Sequence, residues 1–341
     1  MLTINLTADE IADVNSQLDR LTAIYPSADD PGFVRDVALH AQALPERMRR
    51  DLLTFKLLER EPVCLVSGYP VDDAAIGKTP SHWMDSEINR DGRRENFYLM
   101  LCCHVIGEAV AWATEQGGRL IHDVLPIRGS DGGQLGTSTD PLEWHTEDAF
   151  HPERMDYVAL MCLRNQDHVA TTYTSVDDLK LDDATREVLA RPAYPFQPDE
   201  GNRADRELPP DTTGLVASLI TTSHERVRNM YTDPERVPAL FGGPSKPYLR
   251  VHPYYIDDFR DDPEACAAFD ALKESINNSL REVVLQPGDV LFIDNFKSVH
   301  GRRRIPGHYD GTDRWLKRAF VVRDLRKTRH LRVSAEDRVV Y

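Results

Sequence analysis

The amino-acid sequence predicts a β-rich fold, two sheets packed face to face and buttressed by helices. Three observations lead there. Helical periodicity dominates the first 60 residues; short apolar runs bounded by turn residues crowd the stretch 63–322; one long, polar, proline-rich segment interrupts them near residue 200. Amphipathic helices need an apolar surface to lie on, and short strands need a second layer to cover them, so a layered sandwich satisfies both.

Taken in order, Thr7-Ala8-Asp9-Glu10 is a capping box, and Ile11, Val14, Leu18 and Leu21 recur behind it at helical spacing until Pro26. A second helix follows Pro31 with Phe33, Val37 and His40. A third has Pro45 at its first position, where the missing N–H costs nothing, and carries Met48, Leu52 and Phe55. Residues 1–60 thus form an N-terminal helical scaffold, and its polar faces carry both charge signs, which argues against a membrane-lying helix. Val63-Cys64-Leu65-Val66 reads as a buried strand. Residues 95–114 read as one long buried helix, with His104 a satisfied core histidine, and residues 121–127 as a strand. Residues 128–141, rich in Gly, Ser, Thr and Asp, are a loop placed to shape a pocket.

Residues 157–163 and 169–174 read as a strand pair. Residues 191–212 contain five prolines and no periodicity, the signature of a lid. Residues 247–255 read as a strand with His252 and Tyr254 on one face. Phe269, Leu272, Ile276 and Leu280 mark a helix, residues 283–322 hold the last strands, and the charged tail after Asp324 is expected to lie on the surface.

With 341 residues, 41% apolar and 28% charged, the chain is an ordinary globular protein large enough for a sizeable core. A net charge of −15 disfavours nucleic acid or an anionic membrane as partner. The one basic cluster, Arg302-Arg303-Arg304, belongs beside a carboxylate site or in a solvated loop. Cys64, Cys102, Cys103, Cys162 and Cys266 show no paired spacing, so free thiols in a reducing cytoplasm are expected. No signal peptide and no membrane-spanning run is expected. Oligomeric state is left open.

The chemistry concentrates in Trp144-His145-Thr146-Glu147-Asp148-Ala149-Phe150. On a strand, His145 and Glu147 point the same way, giving two-thirds of a facial iron site. His300, after the strand-like Val290-Leu291-Phe292-Ile293-Asp294-Asn295 and its entry turn Gln286-Pro287-Gly288-Asp289, is the candidate third ligand. A lone His-x-Glu is more often a hydrogen-bonded pair than a ligand set. The context strengthens it: Arg314 and Arg318 share a strand face beyond His300, and inward arginines need carboxylates. Ligands so far apart in sequence must converge, which predicts one domain over residues 1–341.

His145-x-Glu147, His300 and Arg314 resemble the clavaminate synthase-like Fe(II)/2-oxoglutarate oxygenases, close to the free amino-acid hydroxylases of peptide-antibiotic biosynthesis of arginine or citrulline type. Trp112-Ala113-Thr114, Asp123-Val124-Leu125-Pro126-Ile127, Leu163-Arg164-Asn165, Val169-Ala170-Thr171-Thr172 and His300-Gly301-Arg302 continue the match, which spans about residues 62–326. The resemblance implies a double-stranded β-helix, or jelly roll, with iron at one open end. It implies Fe(II) on His145, Glu147 and His300, with 2-oxoglutarate and O2 as co-substrates. 2-Oxoglutarate is decarboxylated to succinate while an unactivated C–H bond is hydroxylated. Arg314, helped by the Thr171 hydroxyl, would bind the distal carboxylate of 2-oxoglutarate, and Arg318 the α-carboxylate of an amino-acid substrate. Glu147 would offer its second oxygen to the substrate's α-ammonium. Glu115 would face the same group, at a position where relatives tend to carry an amide.

The arginine hydroxylases tend to carry Asp where this chain has His252, and a second Asp where it has Tyr254. A neutral imidazole and a phenol suit a neutral hydrogen-bonding end, so hydroxylation of free L-citrulline at C3 or C4 is expected. Arginine or lysine hydroxylation or desaturation is the alternative, with Asp199, Glu200 or Glu115 supplying a displaced anion; the first two would reach substrate from the lid. Outside the family, a zinc-dependent hydrolase is disfavoured by the missing paired cysteines. A metal-free jelly-roll binding protein is disfavoured by the intact ligands.

Overall fold

The computed structural model describes residues 1–87, 90–203 and 214–341. It opens with a strand too short to signal itself in sequence. β1 (Leu2–Asn5) pairs in parallel with β2 (Val63–Ser67), and α1 (Ala8–Ile24), α2 (Pro31–Ala41) and α3 (Glu46–Leu58) lie between them. The capping box forms as read: the Glu10 N–H donates to Thr7 Oγ1 at 3.3 Å and the Thr7 N–H to Glu10 Oε2 at 2.9 Å. Pro45 is the N-cap of α3 rather than its first residue.

After the single turn α4 (Asp73–Ile76), α5 (Arg93–Ile106) is shorter than expected, because the chain reverses at Gly107 into β3 (Glu108–Trp112). A Cβ at Gly107 would sit 2.4 Å from the carbonyl oxygen of Val322, so glycine lets the chain turn against the neighbouring strand. His104 is the core histidine expected: its Nδ1 lies 2.8 Å from Met100 O, and burial pushes its pKa down to about 4.

Next come β4 (His122–Val124), β5 (Leu142–His145), β6 (Tyr157–Arg164), β7 (Thr171–Ser175), α6 (Asp183–Leu189), β8 (Tyr194–Pro195) and α7 (Glu200–Arg203). α8 (Gly214–Thr232) went unread because only Ser223 and Val227 of it are buried, too few to make a periodicity. β9 (Arg236–Val237) pairs with β8, and β10 (Leu240–Gly243) forms a hairpin with β11 (Lys246–Leu249). α9 (Pro263–Ser279), β12 (Arg281–Val283), β13 (Val290–Asp294), β14 (Ser298–Arg302), β15 (Trp315–Val322) and β16 (Val339–Val340) complete the chain.

The large mixed sheet runs β1-β2-β13-β6-β15-β3-β16, with β4 also on β15; the small sheet runs β12-β7-β14-β5. β6 and β7, expected to pair, lie in different sheets. Asn165 steers the connector away: its Nδ2 donates to the carbonyls of Val169 at 3.1 Å and Leu285 at 3.0 Å, and its Oδ1 accepts the Val169 N–H at 3.0 Å. Alternation sorts each central strand between two cores. On β13, Val290 and Phe292 pack with α1, α2, α3 and α5, whereas Leu291 and Ile293 face the small sheet. α6 and α9 cover the outer face of the small sheet, Leu189, Phe269 and Ile276 packing with Trp144 and Val299. The tail is not merely surface-lying. β16 extends the large sheet beside β3, and Val340 is buried. All five cysteines are free. No helix among the described residues is long and apolar enough to cross a membrane.

Candidate active site

β14 places His300 opposite His145 of β5 and Tyr173 of β7, so both imidazoles project from the inner face of the small sheet. Strand pleating does not bring Glu147 beside them, as expected from sequence, because β5 ends at His145. The chain instead turns. The Thr146 N–H donates to Val251 O at 2.8 Å, and Asp148 takes a φ of 48°. Glu147 Oε2 comes to 3.2 Å from Nε2 of both His145 and His300. Among the described residues, these three form the one group of metal-ligating side chains found, its ligand atoms all within 4.8 Å of one another.

His145 Nδ1 lies 2.8 Å from Glu143 O, which puts the proton on Nδ1 and frees Nε2 for a metal. Burial pushes the Glu147 carboxyl up, but Arg318 and both histidines hold it well below the usual carboxylate range. An anionic carboxylate between two imidazoles is the donor set of a facial Fe(II) site.

Arg314 and Arg318 line the same cavity, as their spacing predicts. The Arg314 guanidinium is buried; its Nη2 lies 3.4 Å from Thr171 Oγ1, and its Nε has no hydrogen-bond partner among the described residues. Arg302, opposite Thr171 in register, is buried too. It donates to Ser138 O at 2.7 Å, while its Nε is unpartnered among the described residues. Burial pushes Arg314 down to about 10 and, with Arg314 as neighbour, Arg302 down to about 9. Two buried guanidinium groups with orphaned donors fit the distal carboxylate of 2-oxoglutarate. Arg303 and Arg304 are exposed, paired with Glu282 and Asp140.

Arg318 donates to Glu147 Oε1 at 2.5 Å and, through Nη2, to Glu115 Oε2; the same Nη2 lies 2.9 Å from His122 Nδ1. Asp148, which sequence reasoning passed over, completes a cluster of acids with Glu115, Glu147 and Asp199. It accepts from Trp112 Nε1 at 2.6 Å. Asn202 of α7, also missed, reaches into the cluster, its Nδ2 lying 3.3 Å from Glu115 Oε1, 3.2 Å from Asp148 Oδ1 and 3.3 Å from Asp199 Oδ1. Neither had an isolated sequence signal beyond its place next to the metal motif or in the expected lid. Burial pushes Glu115 up to about 7 and Asp148 well above its ordinary range; Asp199 rises as well, and the mutual repulsion of the acids adds to all three.

The cavity, about 260 Å³, takes in Thr171, Glu115, Asp199 and His252. Residues 130 and 134–137 of the Gly-rich loop line it, as expected. Tyr254 does not: β11 ends at Leu249, so no strand carries both aromatic residues inward, and Tyr254 is 49% exposed. His252 stacks on His145, centroids 5.1 Å apart. Its Nδ1 accepts the N–H groups of Tyr254 at 3.3 Å and Tyr255 at 3.1 Å, so Nε2 carries the proton and is a donor. Of the expected lid, residues 204–212 lie outside the described residues. Asp199 and Gly201 line the cavity, while the Glu200 carboxylate lies beside Gly133, 3.0 Å from where a Cβ would stand.

Residues 100–320 match the family described as taurine catabolism dioxygenase TauD, TfdA family. The chain is 39% identical over 342 residues to the enduracididine beta-hydroxylase of Streptomyces hygroscopicus, covering 100% of both. It is 38% identical over 345 residues to the L-ornithine/L-arginine 3-hydroxylase of Catenulispora acidiphila, again 100% of both. The non-heme iron oxygenase OrfP in complex with Fe, succinate and (3S)-hydroxy-L-Arg superposes with a TM-score of 0.91 at 37% identity over 100% of both chains. Its complex with Fe and alpha-ketoglutaric acid gives a TM-score of 0.86 at 37% identity, over 99% of this chain and 100% of that one.

Proposed function

The chain belongs to the TauD, TfdA family of dioxygenases, and from that premise we propose that it hydroxylates C3 of a free L-amino acid with a long, cationic side chain, within the biosynthesis of an antibiotic. It is a non-haem iron dioxygenase that uses Fe(II) and 2-oxoglutarate. We read its two sheets as a double-stranded β-helix, its chain as one oxygenase domain, and its compartment as the cytoplasm.

Iron held by His145, Glu147 and His300 supplies the oxidative chemistry, in which 2-oxoglutarate is spent to succinate. The other side chains position. Arg314 and Thr171 hold the distal carboxylate of 2-oxoglutarate. Arg318 takes the substrate's α-carboxylate, and Glu115 with the second oxygen of Glu147 takes the α-ammonium. Asp148 and Asp199 draw the cationic end of the side chain.

The observation that carries this reading is the acid cluster. Glu115 and Asp148 are buried, and Asp199 half-buried, around a cavity in which Arg318 is their cationic partner, and it already pairs with Glu147. Glu115, Glu147, Asp148 and Asp199 crowd around the Arg318 guanidinium and repel one another, so the cluster favours a ligand with more than one positive group. The enduracididine beta-hydroxylase and the L-ornithine/L-arginine 3-hydroxylase that this chain resembles are both named for the β-carbon, which supports C3. Citrulline is the second reading, favoured by His252, whose Nε2–H suits a ureido oxygen. It ranks second because Tyr254 faces away and the acids do not.

The test is kcat/KM for succinate formation with L-arginine, L-ornithine, enduracididine and L-citrulline, with NMR of the products, in the wild type and in Asp199→Asn. A cationic substrate is expected to win by at least roughly tenfold and to lose that lead in the variant, the scale of one charged hydrogen bond. Preference for citrulline, unmoved by Asp199→Asn, would reverse the ranking.

A further inference from the structure

We propose that Asn295 is a positioning residue of the metal centre: its carboxamide replaces the strand partner that Glu147 lacks and sets where the Glu147 carboxylate points. The proposal rests on the reading of His145, Glu147 and His300 as the iron ligands. β5 stops at His145, two residues too early for a strand ladder to hold Glu147. Asn295, in the turn after β13, makes up for this. Its Oδ1 accepts the Glu147 N–H at 2.7 Å, and its Nδ2 donates to Glu147 O at 3.0 Å and to Met155 O at 3.1 Å.

Accepting from and donating to one and the same residue is what a backbone does in a hydrogen-bonded antiparallel pair. The side chain is 0% exposed, so water cannot substitute for it. Asn295 is itself anchored, its N–H donating to Asp156 O at 2.9 Å. The arrangement must resist strain, because the next residue, Asp148, is a non-glycine at φ 48°. A carboxamide offers donor and acceptor together at this reach; a carboxylate has no donor and would face two carbonyl oxygens. Rotation of the Glu147 peptide would carry the carboxylate away from the two imidazoles, so Asn295 acts on the metal through Glu147.

The experiment measures Co(II) affinity and the Co(II) d–d absorption spectrum of the full chain, beside the Tm of the metal-free protein. Asn295→Asp is expected to weaken Co(II) binding 10- to 100-fold, the usual loss when a partner behind a ligand is removed, and to alter the d–d bands. Asn165→Asp is the control. It breaks the same kind of buried clamp in the connector between the sheets, and is expected to lower Tm with Co(II) affinity unchanged. In a Glu147→Ala background, Asn295→Asp should weaken Co(II) no further, since the ligand it serves is gone. Should Asn295→Asp not fold, Asn295→Ser, which keeps a hydroxyl donor, is expected to give a smaller loss and the same band changes. Co(II) binding by the folded Asn295 variants equal to wild type, or a loss in proportion to Tm as in the control, would overturn the proposal. A wild type with no Co(II) bands sensitive to His300→Ala would overturn the metal site itself.

Discussion

Arg314 carries a positive charge into the interior, and among the described residues no carboxylate pairs with it and its buried Nε has no hydrogen-bond partner. On the proposed function, the distal carboxylate of 2-oxoglutarate is the anion it meets. Arg314→Met should therefore raise KM for 2-oxoglutarate by on the order of 100-fold, the loss of charged hydrogen bonds worth about 3 kcal/mol, with KM for the amino acid little changed. Steady-state kinetics with each co-substrate varied in turn will show it.

Glu115 supports a pH prediction. It faces Arg318, His122, Asn202, Asp148, Asp199 and Glu147, and burial, resisted by Arg318, raises it from 4.5 to about 7. Because its folded pKa is raised, the substrate-free protein keeps a proton that the unfolded chain has lost above pH 4.5. This contribution to stability is full below that value and is lost as pH rises through about 7. Binding has the opposite sign. A cationic substrate prefers the ionised acid, so affinity should rise through about pH 7 with release of a proton. Anaerobic calorimetry in buffers of different ionisation enthalpy should detect the proton, and Glu115→Gln should remove the step near pH 7.

At the scale of elements, the short helix α7, within the segment expected to act as a lid, is what reaches the acid cluster. Asn202 joins it to Glu115 and Asp148, and Thr114 Oγ1 donates to Asn202 Oδ1 at 2.9 Å. A substrate cation drawn to the same acids would tighten this contact and close the cavity to water. Hydrogen exchange across residues 194–203 should slow when substrate joins the enzyme with iron and 2-oxoglutarate, and unchanged exchange would count against a lid. Asn202→Ala should lower kcat/KM by about tenfold, from lost buried hydrogen bonds, and release more succinate per hydroxylated product.

Legibility at this scale followed local periodicity. The helices Ala8–Ile24 and Pro263–Ser279 bury a stripe at helical spacing and were readable; the helix Gly214–Thr232 buries almost nothing and was not.

At the scale of the molecule, the site depends on the far end of the chain. Val339 and Val340 pair with Ala111 and Trp112, and the Trp112 indole in turn holds Asp148 beside Glu147. Removing residues 325–341 would leave β3 as an open edge strand and loosen that indole. The truncated protein should have a lower Tm, a greater tendency to aggregate, and a kcat/KM at least several-fold lower. Light scattering and succinate assays would measure this, and full activity in a monodisperse truncated protein would separate the tail from the site.

By itself the sequence determined the metal ligands His145, Glu147 and His300, the first helices and their capping box, and the shared face of Arg314 and Arg318. Each is written as a rare side-chain chemistry, a turn residue or a period of two or 3.6. Only the tertiary structure decided that β6 and β7 part into different sheets, that the chain reverses at Gly107, and that Tyr254 turns outward. It alone brought Asp148 and Asn202 to the substrate side and Asn295 beneath Glu147. The physical reason is that these outcomes depend on contacts between distant segments. Position 107 must be glycine because the Val322 carbonyl leaves no room for a Cβ, and Glu147 keeps its place through a side chain 148 residues further along the chain.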